Sequence, residues 1–461
     1  MAARSDQLHS HQFARRRVIG ALAMRDPDAS PTGGAPLAGL MVACLALAAV
    51  GVYGLLRPGD DGSWRDGGSV VVERESGARF VYREGVLHPV LNYSSALLIL
   101  GSAGPRTALV ARSALAGIPR GAPLGIPGAP DLLPAAGDLL AGPWTVCSRP
   151  AGPPPGSGVE SVVLIGWAPV AAENRLGESA IVASDPSGGL HLLWRNRRYP
   201  VGDPDLVFAA FAWPRTMAAP VAPALLNAVP AGPDLGRIRV RRAGAPSAVD
   251  GRRVGEVVVV ENQRGDRQHA LVGADGLADI TQVQADLLLA DGSGDPPGRM
   301  SQAEYAQAPR APSLVPTGDA APPATTPELA PRSAGDSVCT SFAEGGGPPT
   351  LALTAVPPRP GGELRTASGA FDVPASVDWV AVPPGRGAVV EALAGPSAPG
   401  GALSVVTDLG VRFPVPARDV LTVLGYRDIA PSRLPAALVA LLPSGRALDP
   451  AAAVLPAAPG G

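Results

Sequence analysis

The sequence predicts an α+β protein with one N-terminal transmembrane helix, followed by four β-rich repeats arranged around a central β-domain. Three observations carry that prediction. A run of twenty uncharged residues near the N-terminus has the length needed to cross a bilayer. After it, a β-rich run, a glycine turn, a short strand and a Leu-rich helical turn recur four times. Two segments of different character, each holding one cysteine, interrupt the repeats.

Composition narrows what such a chain can do. Of 461 residues 46% are hydrophobic but only 4% aromatic, so Val, Leu, Ile and Ala must fill the cores. The 57 glycines and 53 prolines supply turns and breaks throughout. A net charge of -2 offers no basic face for nucleic acid. The chain contains no lysine, which removes the phosphate-gripping residue of a Walker A loop and the amine of a Schiff base.

The apolar run extends from Leu37 to Leu56, LAGLMVACLALAAVGVYGLL, and as a helix would span roughly 30 Å of membrane lipid. A cleaved signal peptide is the rival reading, although the run is longer than a typical signal core. Arg4, Arg15, Arg16, Arg17 and Arg25 precede it on a short flank, which predicts a cytoplasmic N-terminus over 1–36. Within that flank residues 7–25 read as a helix with Leu8, Val18, Ile19 and Leu22 on one face. Phe13 and Arg15, Arg16 and Arg17 make it a candidate for docking a partner or the membrane surface; the alternative is a solvated juxtamembrane helix.

Beyond the span, VVVERESGARFVYREGVLHPVLNYSSALLIL (70–100) sets the repeat, and related stretches follow at 180–211, 255–290 and 402–425. Pro89-Val90, Pro200-Val201 and Pro414-Val415 close the second strand of three copies, and Ala278-Asp279-Ile280 stands there in the third. Equivalent positions lie 111, 79 and 135 residues apart, too irregular for a solenoid. The predicted organisation is repeat 1 over 57–134, the central domain over 135–178 and 337–398, repeat 2 over 179–254, repeat 3 over 255–290 and repeat 4 over 399–450. Residues 291–336 are poor in large apolar side chains and predict a flexible linker, and 451–461 a mobile tail.

With Cys44 in the apolar run, Cys147 and Cys339 remain as an even pair in the exported part. An oxidising compartment would join them; two free buried thiols are the alternative. The stretch GIPRGAPLGIPGAP (117–130) could cradle a phosphate through bare backbone N–H groups. Similar Pro/Gly exits follow the second and fourth repeats, which favours architecture. His9, His11, His88, His191 and His269 show no metal-ligand spacing. His88 occupies the slot of Tyr199 and Phe413 and reads as packing. No serine-nucleophile elbow occurs, so the sequence assigns no catalytic residue, metal ligand or cofactor.

Together the flank DQLHSHQFARRRVIGALAMRDPD, the loop GIPRGAPLGIPGAP, PWTVC, GLADITQVQADLLLA and the terminal VTDLGVRFPVPARDVLTVLGY resemble EccB, a core membrane subunit of the actinobacterial type VII (ESX) secretion system. The resemblance covers nearly the whole chain outside the linkers. It implies a cytoplasmic helix, one membrane span, an elongated extracytoplasmic domain of four repeats around a central β-domain, and a disulfide that would fall on Cys147 and Cys339. It also implies assembly with an FtsK/SpoIIIE-type ATPase, a multi-spanning channel subunit and a further membrane subunit. The implied role is a structural component of protein export, with contacts to other subunits or the cell wall. The alternative is an envelope enzyme, either a nucleotide hydrolase using the Arg120 loop or a wall hydrolase.

Overall fold

The computed structural model describes residues 41–45 and 62–457, apart from 103, 153–157, 168–170, 215–216, 292–295, 345–346, 356–360, 367–376 and 396. The chain divides into two units, Met1–Ser63 and Trp64–Gly461. In the first, 41–45 are helical and exposed; Leu37, Leu56 and the expected helix with Phe13, Arg15, Arg16 and Arg17 lie outside the described residues. Among the described residues no helix is long and apolar enough to cross a membrane.

The second unit holds five sheets. In chain order its elements begin with β1 (Ser69–Glu73), β2 (Arg79–Arg83), β3 (Val86–Pro89), α1 (Tyr93–Leu100), β4 (Arg106–Val110) and the short α2 (Arg112–Leu115). Two central strands follow, β5 (Trp144–Pro150) and β6 (Val159–Ile165). The next group is β7 (Ile181–Ser184), β8 (Leu190–Trp194), β9 (Arg197–Pro200), α3 (Pro204–Ala210), β10 (Ala219–Pro220) and α4 (Pro223–Ala228). After it come β11 (Val257–Glu261), β12 (Arg267–Val272), β13 (Leu277–Ile280), α5 (Gln282–Ala290), β14 (Gly298–Met300) and α6 (Gln302–Gln307). Four more central strands are β15 (Ser337–Phe342), β16 (Thr350–Thr354), β17 (Leu364–Arg365) and β18 (Trp379–Ala381). The chain finishes with β19 (Ala388–Leu393), β20 (Ala402–Val406), β21 (Arg412–Val415), α7 (Arg418–Val423), β22 (Ser432–Pro435), α8 (Ala436–Val439) and α9 (Pro450–Ala453).

Four of the sheets share one topology: an antiparallel meander of three strands, a helix, and a fourth strand parallel to the first, in the orders β3-β2-β1-β4, β9-β8-β7-β10, β13-β12-β11-β14 and β21-β20-β19-β22. Local chemistry sets each crossover helix. Asn92 accepts the Ser95 N–H at the start of α1, and Gly101 ends it at φ 64°, a conformation glycine adopts without Cβ strain. Thr281 and Gln284 form a reciprocal capping box on α5. Such short helices are marginal alone, so their apolar faces must be covered.

The repeats cover those faces in pairs. Leu97, Leu98 and Ile99 of α1 share a core with Val420 and Leu421 of α7 and with both sheets, joining repeats 1 and 4. Leu206, Val207 and Phe208 of α3 pack with Val283 and Leu287 of α5, joining repeats 2 and 3. Each fully buried Leu or Val contributes about 1.5–3 kcal/mol relative to exposure, so the pairing of the repeats adds to the cover each helix receives from its own sheet.

Between the pairs lies a six-stranded sheet, β16-β15-β5-β6-β18-β17. Trp144, Val146, Val163, Ile165 and Phe342 on one face meet Val390 and Val406 of the repeat 4 sheet and Leu438 of α8, with Ala224 and Ala228 of α4. Val338 and Leu351 reach repeat 2 at Ile181, Leu193 and Leu225.

Four sequence expectations are corrected. Strand β19, expected in the central domain over 337–398, is the first strand of repeat 4, because its ladder partners are β20 and β22. Repeat 3 does not end at 290: β14 and α6 continue it through the segment expected to be a flexible linker. The rest of that segment is held by carbonyl acceptors, with Tyr199 Oη donating to Ala321 O and Ala180 N to Glu328 O, a route to order that needs no large apolar side chains. The expected mobile tail carries α9, and Ala457 N donates to Pro123 O at 2.8 Å. Repeat 2 closes at Leu235, which leaves 236–256 as a connector.

Candidate functional site

The feature that recurs in all four repeats is a proline-containing exit, with glycine in three of them, which lies parallel to the third strand of the meander and extends the sheet. In repeat 1 Leu87 N donates to Pro119 O at 2.8 Å, Gly121 N to Leu87 O at 3.2 Å and Leu124 N to Pro89 O at 2.8 Å. Arg198, Gly232 and Leu235 make the same three bonds with Pro230, Arg198 and Pro200 in repeat 2. Arg412, Gly445 and Leu448 repeat them in repeat 4 with Pro443, Arg412 and Pro414. In repeat 3 Leu277 N reaches Pro309 O, Ala311 N reaches Leu277 O and Leu314 N reaches Asp279 O. Proline suits the edge because its missing donor faces away from the ladder.

Glycine in the exit makes room for the ring opposite. A Cβ on Gly121 would lie 2.3 Å from His88 Cε1, one on Gly232 2.4 Å from Tyr199 Cε1, and one on Gly445 2.3 Å from Phe413 Cε1. Repeat 3 has Ala278 and Ala311 in these places, so removal of the ring accompanies removal of the glycine. Where the other copies have proline, Asp279 holds Tyr305 Oη and, at 2.7 Å, Arg310 Nη2. The guanidinium carbon of Arg310 also lies 4.4 Å from the Tyr305 ring centre. Burial works against the Asp279 charge, but Tyr305 and Arg310 outweigh it and hold its pKa below the usual carboxylate value.

The exit geometry answers the phosphate reading of GIPRGAPLGIPGAP. Besides the Gly121 and Leu124 donors already named, Gly125 N is committed to Leu455 O and Ile126 N to Ser95 Oγ. Arg120 stacks over Phe80, 4.7 Å from the ring centre. These groups build a sheet edge.

In the central sheet Cys147 and Cys339 are directly opposed on β5 and β15, with Cα atoms 4.0 Å apart, and are disulfide-bonded across a separation of 192 residues. On the same strand β5, two strands in from the β16 edge of the sheet, Arg149 is 1% exposed. Its Nε donates to Glu160 at 2.8 Å and its two Nη atoms to Glu363 at 2.8 and 2.7 Å. Burial opposes the Arg149 charge, yet the bonds to Glu363 and Glu160 keep its pKa above the ordinary value. Trp379 Nε1 donates to the second oxygen of Glu160, so one cation ties together β5, β6, β18 and the approach to β17. The arrangement restrains strands; it presents no free nucleophile.

A protein-family model described as "Type VII secretion system ESX-1, transport TM domain B" matches residues 2–458. The chain belongs to the EccB family of type VII secretion. Among its relatives is the protein called ESX-3 secretion system ATPase EccB3 of Mycolicibacterium smegmatis, 30% identical over 93% of this chain and 85% of that one. A chain of the intact ESX-5 inner membrane complex shares the fold with a TM-score of 0.68 at 24% identity, covering 99% of this chain and 96% of that chain. A chain of the periplasmic assembly from the ESX-5 inner membrane complex aligns at 0.65 and 25% identity over 85% of this chain and 95% of its own.

Of the residues singled out in this EccB-family sequence, Pro89, Val90, Pro200, Val201, Pro414 and Val415 lie where the third strand meets its exit. Val90 bridges Leu124, and Val201 bridges Leu235. Among the described residues no histidine joins a group that could hold a metal ion: His88 Nδ1 lies 3.1 Å from Ala122 O, and His191 Nε2 lies 3.6 Å from Asp185 Oδ2. Burial, then Arg198, pushes the His191 pKa down against the pull of Asp185. Sequence reading missed Arg149 and its carboxylates because Glu160 and Glu363 are 11 and 214 residues away from it. It also missed the third exit, where Ala311 stands in place of glycine; the Pro-x-small spacing of Pro309–Ala311 was the available signal.

Proposed function

We propose that this chain is the single-span scaffold subunit of a type VII secretion membrane complex, with residues 1–36 cytoplasmic, a helix over 37–56 in the bilayer, and the repeats outside the cell. Its cytoplasmic helix, with Phe13, Arg15, Arg16 and Arg17, docks the FtsK/SpoIIIE-type ATPase. The repeat pairs meet the multi-spanning channel subunit, the further membrane subunit and the wall.

One observation carries the scaffold role: the loop best suited to phosphate is a closing strand, built four times with the same hydrogen bonds. A repeated device that completes a sheet serves rigidity. The absence of lysine from the whole sequence points the same way for nucleotide hydrolysis.

The test uses the tagged full-length chain extracted from membranes in mild detergent. Co-purification of the other type VII membrane subunits, with no hydrolysis by the isolated chain, is the expected result. Nucleotide hydrolysis by the pure chain that Arg120→Ala abolishes would defeat the scaffold reading and support the hydrolase alternative. Protease shaving of permeabilised-wall cells checks the orientation, since the repeats must be cut while 1–36 survives.

A further inference from the structure

The two edges of each four-stranded sheet are treated differently in this protein. The exits cover the β3, β9, β13 and β21 edges. The fourth strand forms the other edge: β4, β10, β14 or β22. Strand β10 has two residues and β14 three, with Arg252 Nη2 donating to Arg299 O of β14 at 3.1 Å. Strand β22 has four and ends in Pro435. Short length and proline both blunt an edge against added strands. Strand β4 has neither: Arg106–Val110 is five residues long, proline-free, and pairs with β1 alone.

The ladder with β1 fixes which backbone groups face out. Arg74 N donates to Val110 O at 2.9 Å, so Val110 turns its N–H and C=O toward β1. By the two-residue period of a strand Ala108 and Arg106 do the same. The N–H and C=O groups of Thr107 and Leu109 therefore point away from the sheet. Among the described residues the only group that reaches any of them is Arg74 Nη2, 3.5 Å from Leu109 O. Thr107 is exposed, and Leu109 is 57% exposed.

We infer that β4 pairs with β4 of a second copy of this chain, antiparallel about a two-fold axis at Ala108, so that the two repeat 1 sheets become continuous. In this register Thr107 of one copy faces Leu109 of the other, and the two residues exchange their N–H···O=C bonds. Ala108 meets itself as a non-hydrogen-bonded pair with Cα atoms about 4.5 Å apart, a close approach that its methyl group permits. Arg106 faces Val110, which leaves the two Arg106 residues about 14 Å apart along the strands and opposes no like charges. Neighbouring registers are worse. An axis at Thr107 sets Leu109 opposite Pro105, which has no N–H to give, and an axis at Leu109 sets Thr107 opposite Ala111, where the strand has ended. A second copy fits better than a charged partner strand, because Arg106, the one charge on the edge, is already held by Asp66 at 3.3 Å. The two-fold contact uses both edges and closes on itself.

The test is disulfide cross-linking of the full-length chain in membranes, in a Cys44→Ser background so that the bonded Cys147–Cys339 pair holds the other cysteines. After mild oxidation, Ala108→Cys is expected to give at least fivefold more dimer on a non-reducing gel than Leu409→Cys, an exposed position in repeat 4. Thr107→Cys and Leu109→Cys alone lie two residues out of register with their own copies, beyond disulfide reach, whereas the two variants co-expressed with different tags should cross-link to each other. Thr107→Pro added to Ala108→Cys should abolish the dimer. The N–H it removes is outside the β1 ladder, so each copy keeps its sheet and its thermal unfolding. Ala108→Cys cross-linking no greater than that of Leu409→Cys overturns the inference, as does equal cross-linking of the single and mixed Thr107 and Leu109 variants. Adducts of Ala108→Cys with a different protein in place of itself overturn the second copy in favour of a partner's strand.

Discussion

Tyr199 on β9 and Gly232 on the repeat 2 exit form one unit: the ring fills the space that any side chain at 232 would need, and a Cβ there would lie 2.4 Å from Cε1. Gly232 does not require a special backbone conformation, so its role is close approach rather than turn chemistry. Its replacement by Ala is expected to destabilise the protein by about 1–3 kcal/mol through overpacking. Tyr199→Ala alone leaves a cavity and removes the bond to Ala321. The double variant restores the Ala/Ala pairing of repeat 3 and should fall short of the sum of the single costs by roughly 1–2 kcal/mol. Equilibrium denaturation of the four proteins checks this, and strict additivity would mean that the contact is not shared.

The Cys147–Cys339 bridge closes 192 residues, including all of repeats 2 and 3. Cys147→Ala/Cys339→Ala is expected to lose about 2–5 kcal/mol, in the range found for native disulfides. Urea titration is the measurement, with a larger m-value expected in the variant because its denatured chain, freed of the cross-link, exposes more surface. A loss below about 1 kcal/mol would show that the six-stranded sheet limits the unfolded loop by itself.

Removing the Arg149 guanidinium strands two carboxylates in a largely buried site. Arg149→Met should cost about 3–5 kcal/mol. Adding Glu160→Gln and Glu363→Gln to it should recover most of the loss, because the uncompensated charges go as well. Arg149→Lys should not rescue, since a point charge cannot make the bidentate pair with Glu363. Thermal unfolding distinguishes these outcomes.

Acid should weaken the fold before the carboxylates titrate. Burial, first, lowers the pKa of His191, and it also lowers that of His269 against the pull of Asp286. Between each depressed folded value and the ordinary value near 6.5 the unfolded chain binds more protons, so stability falls as pH drops through that window and is fully present above it. Asp286, raised by burial, has the opposite sign and acts just above the ordinary Asp range. A pH series of denaturation midpoints should therefore decline below about pH 6.5, and His191→Gln should flatten part of the decline.

The division between legible and illegible features follows interaction range. The meanders were readable because alternation, glycine turns and capping residues such as Asn92 and Thr281 act within a few positions. The fourth strand of each repeat was not, since β10 has two residues and β14 three, and their identity depends on a parallel partner 36 and 40 residues back. β19 was misassigned for the same reason: VVEAL is a strand in any reading, and only its partners decide which sheet it joins. The segment 296–336 looked too polar to order because its restraint comes through backbone carbonyls.

By itself the amino-acid sequence determined the lysine-free chemistry, the uncharged run over 37–56, the fourfold recurrence and the Cys147–Cys339 candidates, all properties of residue type and local spacing. The tertiary structure alone decided that repeat 1 pairs with 4 and 2 with 3, that the exits close sheets, and that Arg149 meets Glu160 and Glu363. These are outcomes of burying short amphipathic helices and sheet faces against one another, and the best partner for an apolar face is fixed by shape across hundreds of residues rather than by its neighbours in the chain.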